Sequence, residues 1–391
     1  MEIKTLYTKL CVTTVFRRVL DSALLKAFFG FCKESDREEK LKHYALFVSE
    51  IYEGGGSLTE LCKKLLFEDE NVYVKTVASG NSLDENVLSS AKKELETFAL
   101  FACLTPENFA LEMGVSVDLL PSYASEKRDF VSEYERRLKE IEKYGYGIFS
   151  SSVMFRLSDE KKIEPIGSAD KIGMESFIGY EREREKVVEN TLAFLEGRPA
   201  ANVLLCGDAG TGKSSTVKAV VNEFFDRGLR LIELRKDQLD SIPKVMGQIR
   251  ENPLKFVVFI DDLSFNQNDD NFSMLKAALE GSAAARADNA VIYATSNRRH
   301  IVKENFSDRS GDDVHRNDTL QETLSLSERF GLVVFYARPD KKLYLQIVRE
   351  LAKRRGIEKD TTALEIEAEA FALKRGTRSA RAAEQFIDSL S

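Results

Sequence analysis

The chain has 391 residues, of which 43% are hydrophobic and 31% are charged, and it carries a formal net charge of −7. This composition is typical of folded globular domains and excludes an intrinsically disordered chain. At this length we expect two or three domains rather than one. The acidic balance argues against a whole-surface electrostatic grip on nucleic acid, although it leaves room for a local basic face.

The cysteines and the N-terminal stretch both favour a cytoplasmic protein. The five cysteines are scattered and form no C-x-x-C pair, so they predict neither a zinc site nor a disulfide framework. Buried free thiols in a reducing compartment are the simplest interpretation. The apolar stretch at 10–31 is interrupted by Arg17, Arg18, Asp21 and Lys26, which favours an amphipathic helix over a signal peptide or a membrane span.

Residues 1–150 are predicted to form a mostly helical domain. Ser35, Ser57 and Ser82 each precede a glutamate three positions later, which is the capping-box pattern that begins a helix. Apolar residues follow each of them at helical spacing. His43 has no partner at metal-ligand spacing and is interpreted as a structural or surface residue. No motif in this region indicates a chemical role.

The pattern weakens at 151–174, where short polar runs with Pro165, Gly167 and Gly173 indicate a linker or a hairpin. From 175 to 338 apolar runs alternate with helical segments, as a parallel α/β sheet requires. The predicted strands are 202–206, 229–234, 256–260, 290–295 and 332–336, and the predicted helices are 182–196, 213–226, 237–250 and 271–286. Residues 339–391 are predicted to be a small helical subdomain with helices at 340–355, 361–375 and 378–390.

The stretch NVLLCGDAGTGKSS at 202–215 is the strongest motif in the chain. It fits the phosphate-loop pattern G-x-x-x-x-G-K-[ST], with an apolar strand before it and an amphipathic segment after it, and this context disfavours a chance match. Small residues let successive backbone N–H groups surround a phosphate at the positive end of a helix. The predicted nucleotide-binding residues are Gly207, Asp208, Ala209, Gly210, Thr211, Gly212, Lys213, Ser214 and Ser215, with Lys213 reaching the outer phosphates and the Ser214 hydroxyl binding Mg²⁺.

Two carboxylates follow the apolar strand FVVFI. Since ligands of parallel sheets gather at the carboxyl ends of strands, Asp261 is expected beside the phosphate loop, where it can bind Mg²⁺ together with Ser214. Asp262 is then placed to orient or polarise the attacking water. The alternative interpretation is that both residues cap the next helix.

A further strand, AVIYATSN at 290–297, ends in Ser296 and Asn297. An amide at that position can hydrogen-bond the γ-phosphate or the water. An isolated asparagine after a strand is usually a turn residue, so this interpretation depends on the neighbouring strands.

The phosphate loop, the acidic strand and the asparagine-ended strand follow each other in this order, and a helical unit comes last. In this respect residues 175–391 resemble the AAA+ ATPases. The runs GDAGTGKSST, FIDDLSF, YATSNRRH and LSLSERFG are most similar to a group of uncharacterised bacterial predicted ATPases, known mainly as a domain of unknown function. The resemblance implies an α/β AAA+ P-loop NTPase core, with a parallel five-stranded sheet between helices and a C-terminal helical lid. It also implies ATP and Mg²⁺ as cofactors.

The resemblance assigns further roles position by position. The segment at 177–180, with Ile178 and Gly179, is similar to the one that enters the adenine pocket. Asn297 matches the position called sensor 1.

Three arginines have counterparts in the resemblance. Arg329, in the run SERFG, matches the arginine finger that reaches the nucleotide of a neighbouring subunit, so a homo-oligomer is implied. Otherwise Arg329 caps a helix or pairs with Glu328. In the terminal subdomain Arg381 matches the sensor 2 arginine better than Arg378 does, because two alanines follow it.

Two departures from the AAA+ pattern qualify the expected activity. The family usually has Asp-Glu where this chain has Asp261-Asp262, and the shorter side chain loses one methylene of reach. Slow hydrolysis or a nucleotide switch is therefore an open alternative. The region 235–243 contains no aromatic residue, which argues against a pore loop of the kind that threading unfoldases use.

The connection at 298–326 is long and highly charged. It is interpreted either as a partner or nucleic-acid contact near a subunit boundary, or as a solvated loop. His315, close to Asp312 and Asp313, has no second spaced histidine or cysteine to support a metal site.

The motifs together predict a Mg²⁺-dependent AAA+ ATPase. We expect it to assemble through the Arg329 face and to remodel or load a macromolecular partner. Two alternatives stay open: a nucleic-acid-associated protein that uses ATP as a switch, and a non-catalytic interaction protein in which the nucleotide is structural.

Overall fold

The computed structural model describes residues 2–167, 172–263, 270–279, 287–297 and 329–390, with the backbone alone for 270–274. The chain divides into two compact units. Unit 1 is Met1–Ser151 with Glu251–Pro253, and unit 2 is Ser152–Arg250 with Leu254–Ser391. No helix in the described ranges is both long enough and apolar enough to cross a bilayer.

Unit 1 is helical. Its helices are α1 (Ile3–Cys11), α2 (Ala23–Lys33), α3 (Arg37–Glu53), α4 (Leu58–Glu68), α5 (Val72–Ala78), α6 (Glu85–Phe101), α7 (Pro106–Met113), α8 (Phe130–Lys139) and α9 (Ile141–Tyr144). Aromatic side chains fill its core, where the ring of Phe28 meets those of Phe47, Phe101 and Phe109 at centroid distances of 5.0–6.3 Å. Such edge and tilted contacts stabilise a core beyond the area they bury.

The helix starts predicted for unit 1 are partly wrong. Ser57 caps α4 as expected, because its hydroxyl accepts the N–H of Glu60 at 3.3 Å. The caps of α3 and α6 are Asp36 and Asp84 instead of Ser35 and Ser82. An aspartate is as good an N-cap as a serine, and here it stands closer to the first apolar turn.

His43 packs its ring against Gly30 on the neighbouring helix. A Cβ atom added at Gly30 would lie 2.3 Å from the imidazole, so the ring occupies the space that a side chain at this position would need. This supports the structural interpretation of His43.

The described strands of unit 2 form one seven-stranded sheet, where five strands were predicted. The strands are β1 (Met154–Leu157), β2 (Ile163–Pro165), β3 (Val203–Gly207), β4 (Leu229–Leu234), β5 (Lys255–Ile260), β6 (Ala290–Ser296) and β7 (Leu332–Tyr336), in the order β2-β1-β4-β5-β6-β3-β7. Neighbouring strands are parallel except for the antiparallel pair β1–β2. The five predicted strands are all present.

The two additional strands form a hairpin within 151–174, the stretch that the sequence predicts to be either a linker or a hairpin. Residues 158–162 make its turn, with Lys161 at φ 58°. β1 joins the sheet beside β4. Strands of four and three residues are too short to give a periodic signal, which is why the sequence did not predict them.

Helices cover the sheet and form the C-terminal subdomain. They are α10 (Glu181–Leu195), α11 (Lys213–Glu223), α12 (Ile242–Ile249), α13 (Asp270–Leu279), α14 (Lys341–Arg354), α15 (Thr361–Arg375) and α16 (Ala380–Asp388). The last three pack around a core of their own that includes Tyr344, Val348, Ala368 and Ile387, and we call them the lid. The predicted helix at 271–286 continues beyond the described residues, and the predicted connection at 298–326 lies outside them.

Candidate functional site

The phosphate-loop motif lies between β3 and α11, as the sequence predicts. β3 ends at Gly207, and α11 begins at Lys213. Gly207, Gly210 and Gly212 have φ angles of 137°, 73° and 88°, a region that L side chains rarely adopt. At Gly207 space is also lacking, because a Cβ atom would lie 2.0 Å from the carbonyl oxygen of Tyr336. The glycines therefore set the path of the loop toward the helix N-terminus.

Replacing Gly207 with alanine is expected to lower the free energy of unfolding of unit 2 by about 3 kcal/mol, since the substitution adds both backbone strain and a collision with main-chain atoms. Gly247→Ala is the matched control, because Gly247 lies in α12 with no heavy atom within 4 Å of the added Cβ. That change should be neutral or slightly stabilising. Urea unfolding of the full chain measures both variants, and equal stability of the two would contradict the expectation.

Lys213 lies at the centre of the site and is only 5% exposed. Its ammonium donates to the carbonyl oxygens of Gly207 at 3.1 Å and Asp208 at 2.7 Å, and to Asn297 Oδ1 at 2.9 Å. Burial lowers the pKa of Lys213, while the nearby carboxylates oppose this shift. The ammonium is thus a buried cation whose hydrogen bonds are accepted by its own loop and by the residue that follows β6.

The carboxylate of Asp261 faces the first turn of α11. Ser214 Oγ donates to Asp261 Oδ1 at 2.6 Å, and the hydroxyl of Thr295 donates to the same oxygen. Asp262 lies beside it, and its Oδ1 accepts a hydrogen bond from Asn297 Nδ2 at 2.7 Å. Asn297 therefore connects Lys213 to Asp262 through the two ends of its amide.

The sheet order explains why these residues converge. β6 lies between β5 and β3, so Asp261, Asn297 and the phosphate loop follow the carboxyl ends of three adjacent parallel strands. Thr295 was not singled out by the sequence. It lies in β6 two positions before Asn297, which follows the strand, and the period of two along β6 is the signal that could have found it.

A cavity of about 170 Å³ opens between the phosphate loop and the lid. Its walls include Phe177, Ile178, Ile347 and Leu351, while Thr211, Gly212 and Ser215 of the loop line one side. Gly179 is held by two contacts, since its N–H donates to Glu181 and its carbonyl accepts from the buried guanidinium of Arg184. An apolar wall beside a phosphate loop suits a purine base.

The two sensor 2 candidates occupy different environments. Arg378 makes a bidentate ion pair with Glu369 of α15 at 2.8 and 3.0 Å. Arg381 lines the cavity, and its backbone N–H approaches the carbonyl of Gly210 at 3.5 Å. No ion pair to the Arg381 guanidinium occurs within the described ranges.

Arg329 does not join this group of residues. It precedes β7, which runs parallel to β3, so it lies at the amino end of the sheet, whereas the phosphate loop lies at the carboxyl end. A five-residue strand separates the two edges by roughly 17 Å. Within one copy of the chain, Arg329 is therefore remote from Lys213.

The donor set at the loop suits Mg²⁺. Ser214 and Asp261 present a hydroxyl and a carboxylate, which are the hard oxygen ligands that this ion prefers. Among the described residues no group of three or more His, Cys, Asp or Glu side chains could hold a metal alone. Magnesium usually takes one or two protein carboxylates and completes its shell with phosphate and water, so the residues present fit it.

Comparison with known proteins gives a family and a fold. The model of a family described as "Protein of unknown function (DUF815)" matches residues 150–391. No curated protein matches the chain. The solved RuvB Holliday junction branch migration motor of Thermotoga maritima is 15% identical, with a TM-score of 0.34, over 56% of this chain and 71% of its own. The replication initiator DnaA, bound to AMPPCP and single-stranded DNA, is 19% identical, with a TM-score of 0.40, over 56% and 65%. Since both TM-scores are low, the AAA+ assignment depends on this chain's own motifs and strand order.

Proposed function

The chain belongs to the DUF815 family, and we propose that it binds ATP with Mg²⁺ and hydrolyses it as an AAA+ ATPase. One observation supports the proposal above all others. Lys213, Ser214, Asp261 and Asn297 follow three adjacent strand ends, and hydrogen bonds of 2.6–2.9 Å connect them in two pairs. A structural interpretation does not explain why a buried ammonium and two adjacent carboxylates meet at a loop of left-handed glycines.

Each residue then has a role in phosphoryl transfer. The loop N–H groups and Lys213 bind the phosphates, while Ser214 and Asp261 hold Mg²⁺. Bound magnesium supplies positive charge beside the phosphate oxygens. Asp262 and Asn297 together orient the attacking water. Asp262 offers a carboxylate, and Asn297 offers an amide that already hydrogen-bonds this carboxylate.

The lid completes the pocket from the other side. Arg381 lines the cavity next to the loop, and we propose that it contacts the outer phosphates while Phe177 and Ile178 form the wall for adenine. Arg381 lies in the first turn of α16 and contacts Gly210, so we propose that loss of the γ-phosphate is transmitted to the lid through this helix. This contact is the proposed path from hydrolysis to movement.

Assembly is the second part of the proposal. Arg329 lies at the edge of the sheet away from its own phosphate loop, so a role as an arginine finger requires the nucleotide of another copy. A guanidinium supplied in this way stabilises the transferring phosphoryl group and is typically worth a factor of about 10³–10⁵. We propose a homo-oligomer that uses this contact to remodel or load a macromolecular partner.

Slow turnover as an ATP-bound switch is the second candidate, and the contact between Asn297 and Asp262 favours it. The bond at 2.7 Å occupies part of the acceptor capacity of Asp262 Oδ1, so fewer sites of this carboxylate are left to accept a proton from water. A single-turnover rate far below the rate of nucleotide dissociation would support the switch.

ATP titration with and without Mg²⁺, followed by phosphate release over a range of protein concentrations, tests the proposal. We expect binding that strengthens with Mg²⁺ and a specific activity that rises with protein concentration as subunits assemble. Failure to bind ATP at all would refute the proposed function. Activity independent of concentration would refute the role of Arg329 alone.

The two lid arginines provide a matched pair of variants. Arg381→Ala is expected to lower the hydrolysis rate by about tenfold to 100-fold, because it removes the cation that we propose contacts the phosphates. Arg378→Ala breaks a surface ion pair within the lid and should change the rate little, since such pairs contribute about 1 kcal/mol or less. Phosphate release under saturating ATP measures both, and a larger loss in Arg378→Ala would reverse the assignment.

A further inference from the structure

We propose that Thr295 is a positioning residue that holds Asp262 in a left-handed backbone conformation, and that this conformation is why the chain has aspartate there. The proposal concerns the same site and rests on the proposed ATPase function for its kinetic consequence. Its structural part, the conformation of Asp262, does not depend on ATP.

The contacts of Thr295 reach both carboxylate residues. Its side chain is buried, with 2% of the residue exposed. The hydroxyl donates to Asp261 Oδ1 and accepts the N–H of Asp262 at 2.9 Å. The Thr295 carbonyl oxygen then accepts the N–H of Leu263 at 2.7 Å. A hydroxyl can donate one hydrogen bond and accept others, so this one connects the two residues, and Asp261 Oδ1 also accepts the Asp262 N–H at 3.1 Å.

Asp262 adopts φ 52°, one of three positive values among the described residues other than glycine. Lys161 and Tyr180 are the other two, but aspartate and asparagine adopt this region more readily than longer residues do, because their short polar side chains bond locally. The turn at Asp262 also brings its Oδ1 within 2.7 Å of Asn297 Nδ2. The chain therefore places its second carboxylate by turning the backbone instead of lengthening the side chain.

The backbone conformation of Asp262 and the length of its side chain predict opposite effects of Asp262→Glu. If aspartate were merely a shorter glutamate, Asp262→Glu would place the carboxylate nearer the water and speed up hydrolysis. Since the backbone conformation selects aspartate, Asp262→Glu should lower kcat. An increase in kcat for Asp262→Glu would overturn the proposal.

Thr295→Val and Thr295→Ser form a matched pair for the kinetic test. Valine keeps the shape of threonine but has no hydroxyl, while serine keeps the hydroxyl. We expect Thr295→Val to lower kcat by about tenfold or more with little change in ATP affinity, and Thr295→Ser to stay within about threefold of the wild type. Equal losses in the two variants, or a loss confined to ATP affinity, would overturn the positioning role.

Melting temperatures of the full chain without nucleotide test the conformation itself. In a left-handed position glycine is favoured over alanine, so Asp262→Gly should melt above Asp262→Ala. In the Thr295→Val background this gap should narrow, because the N–H of residue 262 loses the shorter of its two hydrogen bonds and keeps only the one to Asp261 Oδ1 at 3.1 Å. An unchanged gap, or no gap in the wild-type background, would overturn the proposal. A chain that shows the expected gaps but binds no ATP would instead refute the proposed function alone.

Discussion

Lys213→Ala is expected to abolish measurable ATP hydrolysis, with a loss of about 100-fold or more, as removal of an aligned transition-state donor usually gives. In the structure the ammonium bonds to two loop carbonyl oxygens and to Asn297. Phosphate oxygens have to replace some of these acceptors when the nucleotide binds. The exchange is favourable because an anionic oxygen accepts more strongly than a neutral carbonyl does.

The measurement is phosphate release together with the equilibrium affinity for ATP. Lys218→Ala is a suitable control, because Lys218 lies five positions later on α11 and pairs with Glu233 at 3.4 Å on the partly exposed side of the helix. Its loss should leave both quantities nearly unchanged. Hydrolysis by Lys213→Ala at the wild-type rate would show that this loop does not bind the reacting phosphates.

The parts of the site that the sequence could predict are those that local pattern determines. The loop from Gly207 to Ser214 carries its glycines at fixed spacing, and the bounds of β4 and β7 agree with the predicted ones residue for residue. The positions of Asp261 and Asn297 near the phosphate loop follow from one rule, that ligands gather at the carboxyl ends of parallel strands. Each of these inferences needed only residues that are neighbours in sequence or in the sheet.

The parts that escaped prediction depend on distant contacts or on backbone angles. Thr295 acquires its role from two residues more than thirty positions away. The sequence preferred Arg381 to Arg378 as the sensor 2 residue but gave no sign of their surroundings, in which Glu369 pairs with Arg378 and Arg381 lines the cavity. The angle of Asp262 has no signature in the sequence, because aspartate is common at ordinary angles too.

The hairpin at 154–165 shows a further limit. Its strands are too short for periodicity, and only the pairing of β1 with β4 stabilises them as strands. The hairpin covers the edge of β4, and its own outer strand is short and ends in Pro165. An edge of this kind resists pairing with another chain, so we expect contacts between copies elsewhere on unit 2.

Glu94→Ala is expected to produce the largest loss of stability in unit 1, about 3–5 kcal/mol in the free energy of unfolding. Glu94 lies in α6 and is 8% exposed, yet its carboxylate accepts the backbone N–H groups of Thr14, Val15 and Phe16 at 2.8–3.1 Å. The Thr14 hydroxyl donates to it as well, at 2.8 Å. Alanine would leave these three N–H groups without their acceptor, and Phe16 among them is buried.

Urea unfolding of the full chain, followed by hydrogen exchange at residues 14–16, tests whether the Glu94 carboxylate contributes more to stability than a surface carboxylate does. Glu96→Ala is the matched control, because Glu96 lies on the same helix with its side chain exposed, and such changes usually stay within about 0.5 kcal/mol. The free energy of unfolding of Glu94→Gln should lie between those of Glu94→Ala and Glu96→Ala, since its amide keeps one accepting oxygen and loses the other. If Glu94→Ala and Glu96→Ala unfold alike and the three N–H groups exchange no faster, the carboxylate does not hold the connection between α1 and α2, and packing alone stabilises it.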